Sequence, residues 1–324
     1  MTPQQPIGSG FGHGSTAAEV VSGVDLSGRT VIVTGGYSGL GLESTRALAE
    51  VGAHVIVPAR RPDAAAEALA QIQGGVEVEE LDLSDLASVR AFAARVLASG
   101  RPIDVLINNA GIMACPETRV GDDWEAQFAT NHLGHFVLTC ELWPALVDAG
   151  GARVVSLSST GHKLSDIRWQ DPMWRSEPYD KWRAYGQSKT ANSLFAVHLD
   201  ALGAPASVRA FAVHPGGIMT PLQRHMKREE MVALGWMDDR GNVREGFKTP
   251  EQGAATSVWA ATAAGLEGMG GVYCEDCDIA APTDRESPLG RFMGVDAHAV
   301  DHDSAHRLWD MSAEITGTDL PSRG

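Results

Sequence analysis

Short β-branched runs alternate along this chain with longer stretches whose apolar residues recur at helical spacing, and that alternation sets the expected architecture. Val31, Ile32 and Val33 form the first run, and Val55, Ile56 and Val57 lie in the second, over 54–58. Between them Leu42, Leu48 and Val51, with Ala47 and Ala49, mark a helix with one apolar face that ends near Gly52. The period continues with an Ala-rich helix over 63–72, a strand over 76–81, a helix over 85–97 and a strand over 103–107. A long amphipathic helical region over 122–148 follows, bent near Gly134 and ending around Pro144. Strands over 153–157, 208–213 and 271–274 and a helix from about 182 to 202 complete the pattern. Strands separated by helices predict one α/β domain of Rossmann type, a doubly wound and mostly parallel sheet with helices on both faces.

The ends and two internal segments depart from the pattern. Residues 1–14 are rich in Gly, Pro and Gln and are expected to form an arm of low order. Thr16 and Glu19 have capping-box spacing, so a short helix carrying Val20 and Val21 is expected within residues 1–24, with the domain proper over 25–324. Residues 160–182 hold Trp169, Trp174 and Trp182, and residues 218–248 are rich in Met, Gly and charge. Both insertions follow C-terminal ends of expected strands, where open α/β sheets bind ligands, and both are read as candidate substrate walls, with loop anchoring on the core as the alternative for the tryptophans.

Composition narrows the classes. The chain has 324 residues, 44% of them hydrophobic, and a formal charge of −15. It offers no basic face for nucleic acid. No apolar run reaches the eighteen or so residues of a membrane span, and the first residues lack the basic start and apolar core of a secretion signal, so no membrane partner and a cytoplasmic setting are expected. Four cysteines in this length suit a reducing compartment.

The turn after the first strand carries the first candidate chemistry. Gly35, Gly36, Gly39 and Gly41 lie between the Val31 run and the following helix. Glycine lets the backbone turn sharply and come close to a phosphate, and the helix start then offers its amides to negative charge. The second candidate is Tyr185 with Lys189, four residues on and on the same face of an expected helix. A phenol has an ordinary pKa of about 10, and a neighbouring cation draws it toward working pH. Tyr185 alone among the four tyrosines has a lysine at this spacing.

Taken together these pieces resemble the short-chain dehydrogenase/reductase family. The matching residues are Thr34-Gly35-Gly36-Tyr37-Ser38-Gly39-Leu40-Gly41, Asp82-Leu83, Asn108-Asn109-Ala110-Gly111, Asn131, Ser158-Ser159, Tyr185 with Lys189, and Pro215-Gly216-Gly217-Ile218-Met219-Thr220. The retinol-dehydrogenase-like branch and its bacterial relatives resemble it most, through Thr130-Asn131-His132-Leu133-Gly134-His135-Phe136 and Val213-His214-Pro215-Gly216. The resemblance implies catalytic roles for Asn131, Ser159, Tyr185 and Lys189. Tyr185 would be general acid in ketone reduction and base in alcohol oxidation, and Lys189 would lower its pKa and hold the nicotinamide ribose. Ser159 would hydrogen-bond the substrate oxygen, with Ser158 as the other candidate. Asn131, at an irregularity in its helix, would hold a water joining Lys189 to solvent. The cofactor would lie against Gly35, Tyr37, Ser38, Gly39, Leu40, Gly41, Asp82, Leu83, Asn109, Ala110, Gly111, Pro215, Gly216, Ile218 and Thr220, besides Tyr185 and Lys189. The separation of Ser159 from Tyr185 is about twice that common in the family, and the extra residues are the Trp-rich insertion, which suggests a wall for a bulky apolar substrate.

The turn after the second strand points to the cofactor. An NAD-preferring site places a carboxylate there, where this chain has Ala59, followed by Arg60 and Arg61. Forked guanidiniums suit a 2′-phosphate, so NADP(H) is expected over NAD(H), with Arg60 the first contact. No metal is expected. Cys274 and Cys277 have no second pair nearby, and His298, His302 and His306 read as a solvated face. The expected activity is hydride transfer between a nicotinamide and a carbonyl or alcohol, in a homodimer or homotetramer. A carbon–carbon double-bond reductase of the protochlorophyllide-reductase type and a cofactor-binding regulator without turnover are the alternatives.

Overall fold

The structure is a computed structural model that describes residues 2–321. Its main sheet has eight strands: β1 (Thr30–Val33), β2 (His54–Ala59), β3 (Gly75–Glu80), β4 (Val105–Asn108), β5 (Arg153–Leu157), β6 (Arg209–His214), β7 (Val272–Glu275) and β8 (Asp278–Ile279). They pair in the order β8-β7-β6-β5-β4-β1-β2-β3. Every pairing is parallel except β7 with β8. The strand order reverses between β1 and β4, and the crevice beyond their C-terminal ends is where such a sheet holds a ligand.

The helices that flank it include α1 (Gly39–Glu50), α2 (Pro62–Leu69), α3 (Leu86–Ala98), α4 (Gly134–Glu141), α5 (Lys181–Gly203), α6 (Pro250–Thr262) and α7 (His302–Thr316). The pleat of β1 sends alternate side chains to the two layers. Val31 and Val33 join Leu48 of α1 and Trp259 of α6 on one face. Ile32 joins Phe92 of α3, Phe136 of α4 and Phe195 of α5 on the other. α7 closes over α5, with Trp309 stacked on Phe195 at 5.9 Å and an interplanar angle of 2°. Burying aromatic side chains of this size contributes about 1.5–3 kcal/mol each, so the outer face of α5 is a strongly held surface.

Three expectations change. The region 122–148 is not one helix. It opens with a two-stranded ribbon, Arg119–Val120 with Trp124–Glu125, continues through Ala126–Phe128, and loosens to a π-helical turn over Ala129–Leu133 before α4. Pro144 begins the next helix, Trp143–Asp148, instead of ending one, because a first-turn proline loses no hydrogen bond. The arm over residues 2–14 has no helix or strand, yet it is tied down. Gln4 Nε2 donates to the Tyr273 and Ala280 carbonyls at 2.8 and 2.7 Å, and Gln4 Oε1 accepts from Tyr273 N at 2.9 Å. The Asp278 carboxylate accepts from the amides of Ile7 and Gly8. The helix Ala17–Val20 forms with its capping box, and Ala17 and Val20 enter the layer beneath α6.

Candidate active site

The glycine turn joins β1 to α1 at the switch point. Gly35 and Gly39 have φ of +65° and +53°, in the left-handed region that favours glycine. A Cβ on Gly36 would lie 2.5 Å from Thr45 Oγ1, and one on Gly41 would lie 2.4 Å from the Gly35 carbonyl oxygen. The turn is therefore bare backbone. Ser38, at the cap of α1, makes no side-chain bond to the helix amides. These features fit a diphosphate, which would take up the amides that the cap leaves open. Tyr37 is half-buried beside the turn. Leu40 and Ile218 both turn their side chains toward Gly253 of α6, which leaves their backbone to face a ligand. Thr220 stands over the turn, its Cβ 3.4 Å from where a Gly39 Cβ would be, and its side chain caps the short helix Pro221–His225.

Arg60 and Arg61 are exposed at the end of β2, and Ala59 before them is buried. Among the described residues neither arginine has a carboxylate partner. Arg224, from the second insertion, is pushed below its usual range by partial burial and by the like charge of Arg60. Sequence reasoning did not find Arg224, since no local spacing connects it with Arg60. Asp82 closes its own turn, accepting from Ser84 N at 2.9 Å and Ser84 Oγ at 2.7 Å. Leu83 is buried, and its carbonyl comes so close to Gly134 that a Cβ there would lie 2.2 Å away.

Residues 109–111 extend from β4 as the floor. Asn109 Nδ2 donates to the Thr34 carbonyl at 2.7 Å, and the amides of Asn109 and Ala110 donate to Thr34 Oγ1. Asn131, fully buried in the π-helical turn, accepts from Ile112 N at 2.9 Å through Oδ1. Its Nδ2 donates to the Ile112 carbonyl at 3.0 Å and to Ser188 Oγ at 2.9 Å. A Cβ on Gly111 would lie 3.1 Å from Asn131 Oδ1 and 3.9 Å from Lys189 Nζ. The Asn131 side chain is thus fully engaged with protein groups.

Tyr185 and Lys189 lie one turn apart on α5, and both are buried. Lys189 Nζ donates to the Leu157 carbonyl at 2.8 Å and stands 5.6 Å from the centre of the Tyr185 ring. Of the two serines, Ser158 spends its hydroxyl on the Lys189 carbonyl at 2.8 Å. Ser159 accepts from Gly161 N at 3.0 Å, and its hydroxyl and the Tyr185 ring both lie beside Gly161. Burial pushes Tyr185 up to about 12, and the Ser159 hydroxyl pulls the other way. Burial also holds Lys189 down to about 8. Gly216, with φ of +97°, covers the stem of Lys248 beside Pro215.

The wall over Tyr185 differs from the expectation. Tyr185 clusters with Met113, Ala114 and Met226, and Trp182, Leu222, Met231 and Trp236 pack against that cluster. The second insertion supplies most of it. Of the first insertion only Trp182 takes part. Trp169 lies under the Arg307 guanidinium at 4.2 Å, and Trp174 is held between Arg168 at 4.0 Å and Arg183 at 5.4 Å. These two tryptophans anchor a packed loop. His162 is also structural: Nδ1 donates to the Ser159 carbonyl at 2.7 Å and Nε2 accepts from Asp296 N at 3.1 Å. All four cysteines are free and buried. Among the described residues no group of three His, Cys, Asp or Glu is placed to hold a metal.

The family model described as short chain dehydrogenase matches residues 29–231. The chain belongs to that family. Its relatives include a Streptomyces lividans protein named "Probable oxidoreductase", 48% identical over 299 residues that cover 90% of this chain and 98% of the other. Retinol dehydrogenase 12 of Mus musculus is 38% identical over 299 residues, covering 91% and 88%. Among solved structures, an uncharacterised Mycobacterium paratuberculosis protein superposes with a TM-score of 0.74 at 38% identity, over 95% of this chain and 99% of that one. The Pseudomonas aeruginosa RhlG/NADP active-site complex superposes at 0.61 with 26% identity, over 78% and 95%. The chain is thus a short-chain dehydrogenase/reductase with retinol-dehydrogenase-like and bacterial relatives. Among the described residues no helix is long and apolar enough to cross a membrane.

Proposed function

We propose that this short-chain dehydrogenase/reductase is an NADP(H)-dependent oxidoreductase acting on a bulky, apolar ketone or the matching alcohol. The observation that carries the reading is Tyr185, beside Ser159, set in an apolar cluster of methionines and tryptophans one helical turn from Lys189. The glycine turn, with Thr220 above it, would hold the cofactor diphosphate, and Asn109, Ala110 and Gly111 would floor the nicotinamide. Arg60, with Arg61 beside it and Arg224 facing it, would take a 2′-phosphate, because the cluster is cationic and lacks a carboxylate. A bound NADPH supplies the hydride, and NADP+ takes it up in the reverse direction.

The proton is the work of the side chains. Ser159 donates a hydrogen bond to the substrate oxygen and fixes its position. Tyr185, protonated at neutral pH, gives its proton to that oxygen as negative charge develops there. Lys189 keeps one bond to the Leu157 carbonyl and has two further protons for the ribose hydroxyls. Its charge stabilises the phenolate, and Asn131 steadies the floor on which the proton is replaced. The chain would act in the cytoplasm, where four free cysteines persist. A homodimer or homotetramer would have to use a face other than the outer side of α5, since α7 occupies it.

Binding of NADPH and NADH to the wild type and to Arg60→Ala, followed by fluorescence, tests the cofactor. The expected result is NADPH bound at least about tenfold more tightly, with the variant falling toward the NADH value. Equal affinities in the wild type would sink the NADP assignment. A ketone assayed beside the matching enone separates carbonyl from double-bond reduction.

A further inference from the structure

His135, the second residue of α4, is 2% exposed and makes two hydrogen bonds in opposite directions. Its Nδ1 lies 2.9 Å from the Asn131 carbonyl oxygen, and its Nε2 lies 2.9 Å from Thr34 Oγ1. A carbonyl oxygen only accepts, so the proton is on Nδ1, and Nε2 receives the Thr34 hydroxyl. Thr34 Oγ1 accepts in turn from the amides of Asn109 at 2.9 Å and Ala110 at 3.0 Å. The Ile107 carbonyl, at 3.3 Å, is a longer rival for the same hydroxyl proton.

The far end of the floor is held by Asn131, whose side chain clamps both backbone atoms of Ile112. One imidazole therefore bonds the anchor at each end of 109–112, the stretch that brings Gly111 against Lys189. Burial and the Lys189 charge push His135 down to about 4, so the ring stays neutral across the working range. Its neighbour His132 turns away to Ser312 Oγ at 2.8 Å and adds no bond to the floor.

We propose that His135 is a positioning residue, which fixes the floor strip 109–112 against Lys189 by bonding Thr34 and Asn131 at once through its neutral, Nδ1-protonated ring. It touches neither substrate nor cofactor. Its effect on turnover rests on the hydride-transfer reading above; the placement of its proton does not.

Two measurements test the proposal. His135→Phe removes both bonds and keeps an aromatic ring, whereas His135→Asn keeps a donor near the Nδ1 position. The expected result is a fall in kcat of about tenfold to a hundredfold for the Phe variant, since small misplacements of a reacting assembly have effects of that size. The ketone KM should move less than about threefold, and the Asn variant, which keeps one of the two bonds, should have a kcat between those of Phe and wild type at a similar Tm. A Phe variant with wild-type kcat, an Asn variant no better than Phe, or kcat falling only in step with the folded fraction would each overturn the proposal. Independently, imidazole 15N NMR of the wild type should find His135 with a protonated Nδ1 and a bare Nε2 at pH 7. The opposite tautomer or an imidazolium overturns it. If the wild type turns over no carbonyl substrate while the NMR result holds, the hydride-transfer reading fails and the hydrogen-bonded bracket stands.

Discussion

Trp182 meets Trp236 edge to face, with ring centroids 5.9 Å apart and planes at 81°, and so joins the helix carrying Tyr185 to the segment that covers it. Glu230 backs the contact, accepting from Trp182 Nε1 at 3.1 Å and from Lys181 Nζ at 2.7 Å. Tyr185 is only 5% exposed beneath this contact.

Replacing Trp236 by Ala should loosen the closure at its aromatic end. An aromatic pair contributes about 0.5–1.5 kcal/mol beyond its buried area, so KM for a large apolar ketone should rise by a factor of about 2 to 13. A small ketone, which gains little from the wall, should change by less than about twofold. Steady-state kinetics on a graded ketone series would decide it; a uniform change at every size would mean that Trp236 supports the fold and not the wall.

Tyr185→Phe keeps the ring in the apolar cluster and removes the proton donor. Turnover should fall about a hundredfold to ten-thousandfold, with NADPH affinity within about twofold of wild type. Single-turnover kinetics with titrated NADPH would check both. A variant at full rate would remove Tyr185 from the chemistry.

Lys189 makes a prediction about pH and stability. Its ammonium is held down to about 8 in the folded chain, below the ordinary value of about 10.4. Between those limits the unfolded chain carries a proton here that the folded chain has released, so this group adds stability as pH rises through that window. Below pH 8 the buried charge is a standing cost. Lys189→Met abolishes the dependence, so Tm of the variant relative to wild type should be highest at about pH 7 and decline toward pH 10. Staying below pH 10 keeps Tyr185 out of the measurement, because its upward shift to about 12 acts in the opposite sense only above its ordinary value of about 10. A Tm difference that is flat across this range would contradict the assignment.

The parts legible in the sequence were those written in local spacing. The glycine turn, the Tyr185 and Lys189 pair and the short β-branched runs each announce themselves within a few residues, and the sheet follows from their order. The irregularity at Asn131 came only through the family resemblance, and the close approach of Gly134 beside it to the Leu83 carbonyl, far away in sequence, was not legible. For Trp169 and Trp174 the sequence left wall and loop anchor both open, since Arg307 and Arg183, which cover them, lie outside their own loop. α6 passed unread because its buried residues, apart from Val258 and Trp259, are alanine, glycine, serine and threonine, so it has little apolar periodicity. α7 begins in His and Asp, which resemble a solvated face until Leu308 and Trp309 turn inward. His135 sat in plain view within a matched motif, but its two partners, one four residues back and one on β1's turn, are joined only in three dimensions.

The arm held at the sheet edge has a consequence for the order of synthesis. Gln4 bonds Tyr273 and Ala280, which follow it by 269 and 276 residues. The segment made first therefore has no seat until nearly the whole chain has been translated, whereas the glycine turn and Tyr185 can assemble from what has already emerged. A ribosome-bound chain would carry its arm loose for most of its growth, and docking of the arm would wait for β7 and β8 to emerge.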